Sequence, residues 1–560
     1  MAAAKPSHTE DRKQALLARI TTELQKLLKP GRAELAERFV KQCFRRVPVQ
    51  ELAGDPARIA AMLSNALAFI EQREAGQMLI RVFNPTVAED GWESSHTVVE
   101  LVNDDMPFLV DTAVLTVSEM DLGIHLIVHP VLRVSRDKRG KLTELHAKGT
   151  GEGSPESLIQ LQIDRRTGAA ELKAIQQRLE DAFSDVRKAV ADWHTMESRV
   201  TETAEVMPEW APGVKAEWMS ECREFMKWLL DDHFVLLGVR DYRVVKSGSK
   251  ELIESVAGSG LGILRADGDK TTWRPFESLS DAARKRSQRR PLLITKTNAR
   301  STVHRAGDLD YIGVLKIDSR GKITGERRFL GLFTSTAYNQ NAMRTPMVRV
   351  RARNIMAKSG LVEGSHAWKT MVHILESLPR DELLKATSSQ LREIAEGVLN
   401  LQERKLVRLF IRRERYGRFY SCLVYLPREQ FNTENREKIQ RILKRALNGA
   451  RLDYNVKVSE SRLARLQVLV RPRPGAEVEY DVAALQQKIE EAVRSWGDQL
   501  CEIMVEKLGE EDGLRRFARF GKAFPEAYKE DVSPWVAAFD VENAAAVDGG
   551  EPLRMSLYRP

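Results

Sequence analysis

Apolar positions recur at helical spacing along the first ninety residues. Leu16, Leu17, Ile20, Leu24, Leu27 and Leu28 form one stripe, and Leu35, Phe39, Val40 and Cys43 begin another. Residues 1–90 are therefore predicted to be a helical segment. The pattern changes after Glu89-Asp90-Gly91. Val98, Val99, Leu101 and Val102 make an apolar run that stops at Asn103-Asp104-Asp105. Helical spacing then returns with Leu109, Ala113, Val114, Val117 and Met120. Pro107 is expected in the first turn of that helix, where its missing N–H is harmless, and Gly123 at its end. Ile124 to Val134 reads as one buried strand rich in β-branched residues. Arg133 to Thr143 predicts a hairpin through Asp137-Lys138-Arg139-Gly140, Ser157 to Ile163 a strand, and Ala170 to about Met196 a long helix. Strand, acidic turn, helix and strand make half of a βαββαβ unit, so residues 91–200 are predicted to be one α+β module of a kind that usually binds or communicates.

A linker with Pro208 and Pro212 leads into a helix whose apolar face holds Trp218, Cys222, Phe225, Met226, Leu229 and Leu230. Strands are expected at Phe234–Val239 and Tyr242–Val245, and a hairpin joins Tyr311–Ile317 to Phe329–Phe333 across Asp318-Ser319-Arg320-Gly321. Residues 210–350 thus form a second α+β domain. Helices near Trp368–Leu375 and Leu391–Arg404 make a connector over 351–404. A third module, 405–475, pairs Val407–Ile411 with Phe419–Tyr425 and adds a helix from Thr433, the expected N-cap, to Leu447. Its remaining strands are Tyr454–Val458 and Leu466–Val470. Helical spacing resumes over 480–548, at Val482–Lys507 and Leu514–Phe520. The alternating strand Leu553–Tyr558 is read as the start of a truncated further domain over 549–560.

A length of 560 residues fits this division into several domains, since single cores stop growing well before that size. No window is apolar enough for a membrane span, and the N-terminus lacks a secretory core. The four cysteines are far apart with no CxxC, which fits a reducing cytoplasm. The net charge of +9 is spread over 88 basic and 79 acidic side chains. The densest basic stretch, Arg404–Arg418, reads as a hairpin arm with its charges on a solvated sheet face. Nucleic-acid binding therefore rests on the charge surplus alone.

Candidate chemistry is sparse. Gly258-Ser259-Gly260-Leu261-Gly262 lacks the sixth-position glycine of a dinucleotide fingerprint and leads into a run too short for the phosphate-facing helix. It reads as a structural turn. His125 and His129 stand four apart in a strand, roughly 13 Å from each other, with no third ligand nearby. Lys296, Arg300, Ser301, His304 and Arg305 cluster in KTNARSTVHR. No glycine elbow surrounds the serine, so two readings stand: an anion-holding group of cations, or a hydrogen-bonded domain interface. Asn103, Asp104, Asp105 and Phe108 at the first turn, with Lys296, Arg300, His304 and Arg305, make up the possible effector or interface site. No catalytic residue, metal ligand or cofactor-binding residue is assigned.

Asp104-Asp105-Met106-Pro107-Phe108-Leu109-Val110-Asp111 resembles the MPFLVDS block of the large bacterial NAD-specific glutamate dehydrogenases. Further segments resemble the same family in the same order: Asp232–Gly238, Gly258–Arg265, Ser301–Arg305, Phe329–Phe333, Pro379–Leu383 and Ala523–Tyr528. The resemblance runs over essentially the whole chain. It implies an α+β multidomain fold of ACT-like (βαββαβ) and PAS-like modules with helical inserts: ACT-like over 91–200 and 405–475, PAS-like over 210–350. It also implies a catalytic and a Rossmann domain further downstream. The parent reaction would be oxidative deamination of L-glutamate to 2-oxoglutarate and ammonium, with hydride passing to NAD. The glycine-lysine substrate motif and a GxGxxG are both missing here, so the chain reads as an N-terminal regulatory and oligomerisation region without the chemistry. Its implied partners are its own C-terminal catalytic region, further copies of itself in a homo-oligomer, and a possible small-molecule effector. Neither a membrane nor nucleic acid is among them. Amino-acid-binding ACT domains usually read D-x-P-G-L at this turn; Phe108 replaces the glycine, which puts amino-acid binding there in doubt. A stand-alone amino-acid sensor and a basic nucleic-acid-binding protein are the alternatives.

Overall fold

The computed structural model describes residues 8–555, except 53, 148–150, 208–213, 248–249, 266–290, 321, 402–403, 405, 415–416, 459–460 and 476–477. The chain divides into two compact units, Met1–Met347 and Val348–Pro560.

The first unit holds two antiparallel sheets. Strands β1 (Leu79–Phe83), β2 (Thr97–Asp104), β3 (Ile124–Val128), β4 (Val131–Arg136), β5 (Leu142–His146) and β6 (Ser154–Ile163) form one, in the order β1-β2-β6-β4-β5 with β3 also on β6. Strand β2 is buried on both faces, which is why it reads as a near-continuous apolar run. Val98 and Val102 join Val128, Leu132, Val134 and Leu158 against the helices His8–Leu27, Ala33–Cys43 and Pro56–Ile70. Val99 and Leu101 join Ile159, Leu161 and Ile163 against the helices Leu109–Ser118 and Ala169–Ala191.

Several expected boundaries move. The helical N-terminal segment stops at Ile70, because the stretch up to residue 90 contains β1, which pairs with β2. Pro107 lies in the turn rather than in the helix, whose N-cap is Phe108. That helix ends at Ser118, and Asp121, not Gly123, takes the left-handed backbone after it. The single strand expected at Ile124–Val134 is broken at His129-Pro130, since proline cannot donate to a ladder. The long helix after Gly168 is two, Ala169–Ala191 and Trp193–Val206, meeting at Asp192.

The second sheet contains β7 (Phe234–Ser247), β8 (Lys250–Ser255), β9 (Leu261–Gly262), β10 (Leu292–Arg300), β11 (Asp308–Ile317) and β12 (Ile323–Phe333). Its order is β10-β11-β12-β7-β8, with β9 on β7. The helix Ala216–Leu230 precedes it; the linker with Pro208 and Pro212 lies outside the described residues. Leu237, Leu309, Tyr311, Leu330 and Leu332 share the core of the Leu109 and Ala169 helices, so the two sheets of this unit are joined through one apolar layer.

The second unit begins with the helices Val348–Lys358, His366–Ser377, Arg380–Lys385 and Ser388–Leu401. Strands β13 (Arg408–Arg413), β14 (Tyr420–Pro427), β15 (Gly449–Lys457) and β16 (Leu463–Pro472) follow, ordered β13-β14-β16-β15. The helices Thr433–Ala446 and Val482–Val493 cover one face through Ile439, Leu443, Leu485 and Ile489. Asn432 rather than Thr433 is the N-cap, its side chain accepting from the Asn435 N–H. The first and third sheets share a plan. In each, an edge strand comes before a strand–helix unit and pairs with its first strand; between the two helices the third sheet then has two strands and the first has four. The helices Trp496–Leu508, Glu510–Phe520 and Pro534–Asp548 form a small separate core around Leu500, Met504, Ala537 and Val541. Leu553–Met555 is irregular rather than strand, and the rest of that predicted strand lies outside the described residues. No helix among the described residues is long and apolar enough to cross a membrane.

Candidate functional site

The eight residues singled out in the sequence fall into three groups. Asn103, Asp104 and Asp105 turn back into the first module. Asn103 is buried; its Nδ2 donates to the Asp104 carbonyl at 2.9 Å, and Arg187 Nη1 donates to its Oδ1 at 3.0 Å. Arg73 Nη2 donates to Asp104 Oδ1 at 2.7 Å, and Ser157 Oγ to Asp105 Oδ1 at 2.6 Å. Arg73 is itself buried and reaches Glu156 at 2.8 Å, while Arg136 grips the same carboxylate with two bonds of 2.8 Å. These arginine–carboxylate contacts tie the turn to β4 and β6.

Phe108 faces the other way. Its φ of 74° is the left-handed conformation, so the site keeps the backbone a glycine would adopt while carrying a ring. That ring lies 5.1 Å from His304 and 6.1 Å from Trp193, centroid to centroid. His304, also left-handed, donates its N–H to Thr112 Oγ1 at 3.1 Å and places Nδ1 3.0 Å from Asp111. Arg300 Nε meets Glu119 at 3.0 Å, and Thr302 Oγ1 donates to Asp185 at 2.7 Å. The loop after β10 thus contacts the Leu109–Ser118 and Ala169–Ala191 helices of the first module.

Lys296 and Arg305 serve the second sheet itself. Lys296 Nζ is 3.0 Å from Asp310, and Arg305 Nη2 donates to the Phe333 carbonyl at 2.7 Å. Ser301 is buried and donates to the Val303 carbonyl. The cations therefore do not converge on one point. His125 pairs with Asp164 and lies against the tilted ring of His96, whereas His129 contacts Ser157. Among the described residues no group of His, Cys, Asp and Glu could hold a metal. In the glycine-rich loop a Cβ on Gly262 would meet the Leu237 carbonyl at 2.1 Å, and its N–H donates to Asp192 at 2.7 Å. Close backbone packing accounts for that glycine.

Two buried glutamates escaped the sequence reading. Glu100 on β2 accepts from Gln160 at 2.7 Å and from Arg81, whose Nε and Nη2 both reach the same oxygen. Burial raises its pKa more than Arg81 and Gln160 lower it. Glu382, in the Arg380–Lys385 helix, accepts Arg412 Nε at 2.7 Å and Nη2 at 2.9 Å on separate oxygens, and Ser421 Oγ at 2.5 Å. Burial pushes its pKa up too, but Arg412 and Ser421 outweigh burial and hold it below the usual range. Arg412 and Glu414 are buried, whereas Arg404, Arg408 and Arg413 are exposed, so the basic hairpin arm is solvated only in part. A charge inside an apolar strand, Glu100 in TVVELV or Arg412 at the end of LFIR, was the available signal.

Models of glutamate dehydrogenase domains match in four places: the ACT1 domain at residues 39–179, helical motif 1 at 345–404, the ACT2 domain at 408–497 and helical motif 2 at 503–547. The NAD-specific glutamate dehydrogenase of Halomonas elongata is 34% identical over 98% of this chain, and that of Pseudomonas aeruginosa 33% over 93%. The chain belongs to the NAD-specific glutamate dehydrogenase family. The corresponding enzyme of Mycobacterium tuberculosis is 26% identical over 86% of the chain. The chain spans about one third of these relatives: 34%, 32% and 29% of their lengths. The two ACT domains of the family coincide with the first and third sheets, and the first begins at residue 39, within the N-terminal helices. A solved structure of PelD from Pseudomonas aeruginosa PAO1 matches at 13% identity, 58% of this chain and 88% of that one, with a TM-score of 0.13.

Proposed function

We propose that this chain is the regulatory and oligomerisation part of an NAD-dependent glutamate dehydrogenase and carries none of its catalytic residues. The observation that carries this reading is the identity of the matched pieces: two ACT domains and two helical motifs, within a third of the relatives' length. The parent enzyme would convert L-glutamate, NAD and water to 2-oxoglutarate, ammonium and NADH, with NAD held outside this chain. The polar residues at the first ACT turn support an architectural role, since Asn103, Asp104 and Asp105 are held by Arg187, Arg73 and Ser157. His304, Arg300 and Phe108 are engaged in the same way at the junction with the second sheet.

In this reading the partners are the catalytic region of the same polypeptide and further copies of the chain. An effector would act by binding one subunit arrangement better than another. A reducing cytoplasm is the proposed compartment, supported by four free cysteines, three of them buried. Sedimentation of the 560-residue chain tests the assembly role: self-association at micromolar concentration is expected, and a monomer throughout that range would remove it.

A further inference from the structure

Strand β15 forms an open edge of the third sheet. In the order β13-β14-β16-β15 it is bonded to β16 alone. The opposite edge is capped by a side chain, since the Leu409 N–H of β13 donates to Gln486 Oε1 at 3.2 Å. In the first sheet the helix Ala33–Cys43 caps the β5 edge: Arg38 Nη1 donates to the Leu145 carbonyl at 2.7 Å, and Gln42 Nε2 to the His146 carbonyl at 3.0 Å. Among the described residues no such group reaches the outer backbone of β15 from Leu452 to Lys457. An uncovered row of backbone N–H and C=O groups is a template for another strand.

The side chains of this edge say which strand fits. Leu452, Tyr454 and Val456 lie opposite Val470, Val468 and Leu466 on the helix-covered face, and Val458 continues their row. Tyr454 is 52% exposed and Val458 47%, so the apolar layer runs out at β15 without a polar border. Asp453, Asn455 and Lys457 alternate onto the other face. The stretch LDYNVKV, Leu452 to Val458, is self-complementary about Asn455. Laid antiparallel on a copy of itself, it sets Leu452 against Val458, Tyr454 against Val456 and Asp453 against Lys457, each twice. Asn455 meets its own copy. Every other pair matches apolar with apolar or carboxylate with ammonium, the pairings that stabilise a sheet. Centring on Tyr454 would instead set Arg451 against Lys457, and centring on Asp453 would oppose two carboxylates. A slip of one residue would put apolar side chains opposite polar ones.

We propose that β15 pairs antiparallel with β15 of a second copy of this chain, across a two-fold axis at Asn455, joining two four-stranded sheets into one. A two-fold contact needs one patch that complements itself, and this stretch meets that condition residue by residue. The pairing extends the apolar row of each copy over the exposed Tyr454 and Val458 of the other. Asp453 already meets Arg451 at 2.9 Å, so Lys457 of the second copy joins an existing ion pair. The inference rests on the oligomerisation role and gives it one surface.

Sedimentation velocity of the 560-residue chain tests this through charge reversal, with thermal unfolding to check that each variant is folded. Asp453→Lys and Lys457→Asp each create two like-charge pairs across the axis and should weaken self-association about tenfold or more. The double variant Asp453→Lys/Lys457→Asp makes those pairs opposite again and should recover most of the loss. Asn455→Cys in a Cys501→Ser background should oxidise to a disulfide-linked dimer, because the two positions face each other at the axis. Arg441→Cys, on the exposed side of the Thr433–Ala446 helix, should not. Self-association that neither reversal weakens would overturn the β15 pairing and leave the oligomerisation role standing. Loss without recovery in the double variant, or no dimer from Asn455→Cys, would also overturn it. A chain that stays monomeric at micromolar concentration would remove both.

Discussion

Glu100 in the first ACT domain and Glu382, in helical motif 1 against the strands of the second ACT domain, occupy comparable settings, yet their pKa values move in opposite directions. Each is buried, faces a guanidinium and accepts one further side-chain donor. The difference is in how the guanidinium is used. Arg412 gives two N–H groups to two oxygens, the paired geometry that matches a carboxylate. Arg81 directs both to one oxygen, shares itself with Asn65 and spreads over the rings of Phe69 and Phe83. Burial of a carboxylate is therefore not by itself a stabilising feature; how far its partners offset that burial decides the sign.

That contrast is most severely tested by removing one partner from each pair. Arg412→Ala should destabilise the second unit by about 3–5 kcal/mol, since it strands the buried Glu382 carboxylate without its counter-charge. Replacing Arg412 and Glu382 together by Met and Leu should recover most of that loss. Glu100→Gln should cost about 1 kcal/mol or less, because the half-exposed Arg81 keeps solvent and its aromatic neighbours. Denaturant unfolding of each variant measures all three, and equal costs at Glu100 and Glu382 would erase the distinction.

Next in size is the strain at Phe108. Phe108→Ala loses the ring packed between His304 and Trp193 but keeps the left-handed backbone, so a loss of about 2–3 kcal/mol is expected. Phe108→Gly loses the same ring and relieves the backbone, and should be about 1 kcal/mol better than alanine. Thermal unfolding would show it, and an alanine variant as stable as glycine would mean the conformation carries no strain.

Acidification separates the two domains by direction. The raised pKa of Glu100 means its contribution is full below the unfolded value of about 4.3 and is lost as pH rises through its folded value. Lowering pH from neutral toward that value should therefore stabilise the first sheet by this group's share. The lowered pKa of Glu382 has the opposite sign: its contribution is present above the unfolded value and disappears as pH falls through the folded one. Segment-resolved hydrogen exchange should show β2 gaining protection in mild acid, and β13 and β14 losing it only at stronger acid. A common direction in both sheets would contradict the assignment.

The smallest effects belong to the junction of the first module with the second sheet. Arg300 and His304 hold partly exposed carboxylates, so alanine at either should cost about 1 kcal/mol at most.

The sequence showed β2 plainly because it is buried on both faces, and showed the Leu109 helix through its stripe. It hid β1, whose five residues are all half-buried and carry no alternation. It also hid the bend at His129-Pro130, because the β-branched run continues on both sides. Asp105 and His304 stood out by residue type, but their partners, Ser157 and Asp111, lie 52 and 193 residues away. Pairings at such distances are set by sheet order, not by local pattern. The same holds for Glu382, whose PRDEL segment looks like an ordinary helix start until the third sheet brings Arg412 against it.

In the proposed function, this chain regulates and assembles an enzyme whose chemistry lies elsewhere. Glutamate-dependent reduction of NAD by the purified 560-residue chain tests it most directly. No rate above the enzyme-free blank is expected at saturating glutamate and NAD. A steady turnover that scales with protein concentration would contradict it.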